Sequence, residues 1–145
     1  MSIIQEVKDS WGWIGIEPLS IVGENDFGNL MIEDVDGKYW RLSPEDVYCE
    51  VVAHDRDELD RLSQDQDFLE DWYMQALVEQ AKESLGELSE GRKYCLVIPG
   101  ALGGEYGISN IKTAQLIELI RFSGDLAKQI KDLPDGAEIK LRVVD

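Results

Sequence analysis

Apolar positions along the chain switch between two periods, and each switch marks a change of element. Ser2 is placed to cap a short helix that reaches Trp11, and Gly12, Gly15 and Pro18 then interrupt it. From Leu19 to Val52 the pattern becomes strand-like. Leu19–Val22, Leu30–Ile32, Tyr39–Leu42 and Val47–Val52 read as short strands. Asp36-Gly37 lies between the second and third of these, where it signals a tight hairpin with positive φ angles. Ser43-Pro44-Glu45-Asp46 makes the next turn. The period then becomes helical. Arg56–Leu62 fits a short helix. Phe68, Leu69, Trp72, Tyr73, Ala76, Leu77, Ala81 and Leu85 form one stripe, with Gly86 as its cap. Tyr94–Ile98 is an apolar strand, followed by a glycine-rich loop from Pro99 to Gly107. Thr113 is positioned to cap a second amphipathic helix, whose stripe runs from Leu116 to Ile130. Gly124 inside that stripe points to a close helix crossing. Pro134-Asp135-Gly136 turns the chain into a final strand, Ile139–Val143.

These elements predict one α+β domain over residues 1–145. Its sheet is a mostly antiparallel meander with a hairpin, and two longer amphipathic helices pack against one side of it. No repeat, linker or low-complexity tract divides the chain. Trp40 and Trp72 fall on core positions of a strand and a helix, while Trp11 and Trp13 are placed to cover one end of the core.

Charge narrows the classes of function. The chain holds 30 acids against 14 Lys and Arg, a net charge of -16, with 43% apolar residues. That apolar share supports a real core and excludes a disordered acidic tail. The negative field repels phosphate, and no basic stripe offsets it, so nucleic-acid binding is not expected. The field is uneven: residues 55–90 carry 12 acids and 3 bases, whereas residues 91–145 carry 7 acids and 8 bases. High like charge disfavours self-association, so a monomer is expected. The segment Met1–Glu6 lacks a basic region and a long apolar stretch, and no run approaches a membrane span of roughly 20 apolar residues. A cytoplasmic location is the resulting expectation, with Cys49 and Cys95 as buried free thiols.

The candidate chemistry is sparse. The loop around Gly103-Gly104 matches neither phosphate-binding glycine pattern and contains Glu105; a turn that excludes a Cβ, or a loop that presents Glu105 and Tyr106 to a protein, fits better. Asp34-Val35-Asp36-Gly37 fails as a calcium loop because Ile32 would be its first ligand. His54 is the sole histidine and lies at a strand-to-helix junction, and the two cysteines are far apart, so zinc ligation and a His-based triad lack members. Within the acidic cluster that begins at Asp55, the acids from Asp65 to Asp71 read either as a solvated helix start or as a recognition surface for a basic protein. No catalytic residue, metal ligand or cofactor is expected.

Phe27-Gly28-Asn29-Leu30 followed by Asp36-Gly37-Lys38-Tyr39-Trp40, a Trp-containing acidic helix, and Pro99 with Leu102-Gly103-Gly104-Glu105-Tyr106 form an ordered set. This set resembles the C-terminal domain family of type VI secretion DNase-immunity proteins, the Tdi group, over roughly Trp11 to Val144. The resemblance implies a non-enzymatic protein that binds and neutralises a cognate toxin, of a nuclease type in the wider group. An acidic inhibitor suits a basic, phosphate-binding groove. Residue chemistry rather than the resemblance selects the candidate contacts: Asp65, Asp67, Glu70 and Asp71 on the acidic helix, with Glu105 and Tyr106 on the glycine turn. The alternatives are a small metal-dependent hydrolase working through the acidic cluster and His54, and a generic interaction module.

Overall fold

The computed structural model describes residues 2–133. The turn at Pro134–Gly136 and the strand expected at Ile139–Val143 lie outside the described residues. The elements run α1 (Ile3–Trp11), β1 (Pro18–Glu24), β2 (Leu30–Asp34), β3 (Tyr39–Ser43), β4 (Tyr48–Ala53), α2 (Arg56–Leu62), α3 (Gln66–Tyr73), α4 (Gln75–Leu85), β5 (Arg92–Leu96), β6 (Ile111–Gln115) and α5 (Leu116–Ile130). Strands β1 to β4 form an antiparallel meander in chain order, and β5 pairs with β6 in a separate antiparallel ribbon. The architecture is α+β with mostly antiparallel pairing.

Alternation along the meander sends apolar residues to both faces. Leu30, Ile32, Leu42 and Cys49 point to one face, where Val7 and Trp11 of α1 and Leu116, Ile120 and Leu126 of α5 cover them. Met31, Tyr39 and Ala53 point to the other face and meet Leu59 of α2 and Trp72 of α3. Helices therefore cover both sides of the sheet. This corrects the expectation of one covered side, and it explains why all of β2 except Glu33 is buried. A third cluster joins Val78 and Ala81 of α4 to Phe27 and to Tyr94, Leu96 and Ile111 of the ribbon.

Local chemistry sets the boundaries. The Ser2 hydroxyl accepts from the Gln5 N–H at 3.0 Å, as the capping pattern requires. Trp11 is buried in the main core, and Trp13 stacks on it at 6.1 Å. The β2–β3 hairpin forms in the expected register, but its turn is not the tight primed type: only Gly37 has a positive φ, at 84°. Asp34 closes the longer turn, accepting from the Asp36 and Lys38 N–H groups at 2.9 Å each and from Trp40 Nε1 at 2.8 Å. Burial pushes the Asp34 carboxyl up, but those hydrogen bonds outweigh it and hold the group below its ordinary value.

Two helix boundaries differ from the sequence pattern. The stripe from Phe68 to Leu85 is not one helix: it breaks at Met74, which is left-handed at φ 48°. The Trp72 carbonyl, which a continuous helix would bond internally, instead accepts from Asn25 Nδ2 at 2.7 Å. The break leaves Tyr73 61% exposed, and Ala76 and Leu85 are exposed as well. Gly86 does end α4, its carbonyl accepting from the Tyr94 hydroxyl at 2.5 Å. Thr113 does not cap α5. It lies in β6 opposite Tyr94, and its hydroxyl accepts from Arg92. Gln115 precedes α5 without a side-chain cap.

Gly124 is the closest point of the α1–α5 crossing. A Cβ there would overlap the Ser10 carbonyl. Helix propensity alone would make Gly124→Ala stabilising by about 1 kcal/mol. The crossing reverses that sign: the variant is expected to lose about 1–3 kcal/mol through overpacking, read as a lower urea midpoint. A midpoint equal to or above the parent's would show that the two helices are not held this close.

Candidate functional site

The site is built at the corner where α3 gives way to α4. Asp65 caps α3, its carboxylate accepting from the Phe68 N–H at 3.1 Å. Asp67 follows in the first turn, where the helix dipole favours negative charge. Phe68 and Trp72 turn inward and stack at 6.2 Å, and Asp67, Glu70 and Asp71 are left exposed. At Met74 the chain turns and α4 begins. The resulting corner encloses a groove of about 680 Å³ lined by Leu69, Glu70, Asp71, Tyr73, Leu77 and Gln80, and Tyr106 reaches it from the glycine-rich loop. This volume lies within the roughly 300–1,000 Å³ typical of ligand clefts.

Glycine is required in the loop that delivers Tyr106. Gly103 has a φ of 88°, and a Cβ on Gly104 would overlap the Ile98 carbonyl. Asn110 clips this close approach: its Nδ2 donates to the carbonyls of Ile98 and Glu105, and its Oδ1 accepts from the Ile98 N–H, each at 2.9 Å. Tyr106 is 49% exposed, and its hydroxyl donates to Asp46. The loop is anchored a second time by the Gly100 N–H, which donates to the Glu45 carbonyl at 2.6 Å.

Of the six residues selected from the sequence, the structure brings Glu70, Asp71 and Tyr106 together around the groove. Asp65 and Asp67 sit at the start of the same helix, outside the groove lining. Glu105 is exposed on the loop, and its carbonyl rather than its carboxylate is engaged.

A buried polar network behind the groove was not visible in the sequence. Arg41 of β3 lies on the α3 side of the sheet with a side chain only 6% exposed. Its Nη1 donates to Asp71 at 2.5 Å and its Nε to Asn29 Oδ1 at 3.0 Å, and its guanidinium stands 5.1 Å from the Trp72 ring. Asn29 in turn donates to both Glu45 oxygens at 3.0 and 2.8 Å, and Ser43 donates to Glu45 at 2.9 Å. Burial pushes the Glu45 carboxyl up, opposed by hydrogen bonds from its own N–H, Ser43 and Asn29. Burial raises Asp46 as well, while the Arg41 charge pulls it down. The one sequence signal for this network is a cation, Arg41, within the apolar run Tyr39–Leu42.

Of the residues of the hydrolase alternative, His54 does not line the groove. His54 is exposed at the end of β4, 3.5 Å from Glu58. Among the described residues, no group of three or more His, Cys, Asp or Glu side chains is arranged to hold a metal ion. Cys49 and Cys95 are buried free thiols, and burial pushes Cys49 up to about 12. A thiol so raised is a poor nucleophile.

Because the folded chain holds the Glu45 proton more tightly than the unfolded chain does, the stability it contributes is full below the ordinary glutamate range. It is lost as pH rises through the folded value. Urea midpoints measured from about pH 4.5 to about pH 8 are expected to fall more steeply for the parent than for Glu45→Gln. Equal slopes would remove Glu45 as the source.

A family model described as the C-terminal part of the type VI secretion immunity protein Tdi1 matches residues 53–127. The match runs from the end of β4 through most of α5. It contains α3, α4 and the glycine-rich loop, and it leaves the Phe27–Trp40 block outside. No curated protein matches the chain. Among the described residues, no helix is long and apolar enough to cross a membrane. By the extent of the family match, the chain belongs to the type VI secretion immunity proteins that share the Tdi1 C-terminal domain.

Proposed function

We propose that the chain is a non-enzymatic immunity protein that acts in the cytoplasm by binding a cognate type VI toxin through the acidic face of α3 and the adjoining loop. The observation that carries this reading is the family match, whose span includes all six selected residues. Electrostatics supports the surface. Residues 55–90 hold 12 acids and 3 bases. On α3, Asp67 and Glu70 are exposed and make no ion pair among the described residues. A toxin that works on nucleic acid has a cationic groove for phosphate, and a strongly negative inhibitor is drawn toward it before contact. Steering of this kind raises association rates by roughly 10–10³-fold. It acts at long range, so salt weakens it mainly through the association rate.

The test is the association rate with the toxic domain of a cognate type VI effector, followed by stopped flow. Raising salt from about 50 mM to about 500 mM is expected to slow association at least about tenfold. Asp67→Asn with Glu70→Gln is expected to flatten that dependence and leave the Asp65 cap intact. Binding that is indifferent to salt and to both substitutions would exclude the acidic face, and no binding at all would exclude the toxin partner.

A further inference from the structure

The α3–α4 groove combines features that select one kind of occupant. Its lining combines Leu69 and Leu77 with the exposed rings of Tyr73 and Tyr106, beside three glutamines. Its charges are of one sign: Glu70 and Asp71 line it, and no Lys, Arg or His does. Glu70 has only a 3.4 Å contact from Gln66, and the Asp71 side chain is 71% exposed although one oxygen already holds Arg41. An anionic groove with aromatic walls matches a guanidinium. That group is planar, stacks on aromatic faces, pairs with carboxylates through a fork of N–H groups, and sheds water more readily than an ammonium. The protein already shows the same chemistry on the inner side of α3, where Arg41 pairs with Asp71 over the Trp72 ring.

We propose that this groove is a docking pocket for an arginine-bearing apolar segment of the partner. The guanidinium sits between Glu70 and Asp71, and the flanking apolar side chains rest on Tyr73, Leu77 and Tyr106. The proposal rests on the reading of the chain as a toxin-binding protein, and it goes further in naming the residue type the partner presents. The presentation of Tyr106 by a glycine turn then has a purpose: it closes one wall of the pocket. The left-handed Met74 has one too, because a continuous helix from Gln66 to Leu85 would have no concave corner for the groove.

The probe is the blocked peptide acetyl-Leu-Leu-Arg-Leu-amide, titrated into the full chain and followed by amide chemical shifts. Shifts are expected to concentrate at residues 69–80 and at Tyr106, and replacing arginine by citrulline is expected to weaken binding at least tenfold. Ala76→Arg, which tethers a guanidinium beside the groove, is expected to abolish the shifts at an unchanged melting temperature. Asp9→Lys, an equal change from acid to base on α1, is expected to leave them. Shifts spread over all acidic surfaces, equal binding of the citrulline peptide, or binding that survives Ala76→Arg would each overturn the pocket. So would a concentration-dependent dimer dispersed by Ala76→Arg, since the occupant would then be a second copy. A toxin that binds the parent and Ala76→Arg equally would sink the pocket and leave the immunity reading standing. A parent that binds the peptide but no toxin would do the reverse.

Discussion

A guanidinium buried between a sheet and a helix must be satisfied on every side, because the interior offers no water to replace a missing acceptor. Arg41 draws on three residues from two neighbouring segments. Asp71 comes from α3, Asn29 from the start of β2, and the Trp72 ring covers the cation from the helix. Asn29 then carries the connection to Glu45, whose carbonyl holds the Gly100 N–H of the glycine-rich loop. Helix α3, the meander and the loop are thereby fixed relative to one another by directional bonds. Apolar packing alone would fix their separation but not their rotation.

This arrangement follows from covering both faces of an antiparallel sheet. Such a sheet commonly leaves one face to water. Here α1 and α5 take one face and α2 and α3 the other. The second layer buries Arg41, and it also sets the acidic helix on a rigid base. The outer carboxylates of α3 are therefore held in place. Rigid presentation suits an interface, since a partner need not supply the free energy of ordering the surface it binds.

The charge distribution has a structural side as well as a functional one. Asp65 caps its helix, and one oxygen of Asp71 is the counterion of Arg41. Asp67 and Glu70 have no such structural duty. Identical residue types one turn apart thus carry different burdens, and only the contacts of each show which acids can be changed without disturbing the fold.

Much of this was legible in the residues themselves. The Ser2 cap, the meander, the Asp36-Gly37 hairpin, the Gly86 stop and the requirement for glycine at the 103–104 turn are local statements, fixed by backbone sterics and side-chain period within a few positions. Family membership was also within reach, because ordered short motifs survive in sequence. The break at Met74, the strand at Thr113, the second helical layer and the Arg41 network were not. Asn25 takes the Trp72 carbonyl from 47 positions away, and Arg41 meets Asp71 across 30. Sequence period records which way a side chain faces. The identity of its partner is decided when distant segments meet, and here that meeting turned one acidic helix stripe into a groove with an aromatic wall.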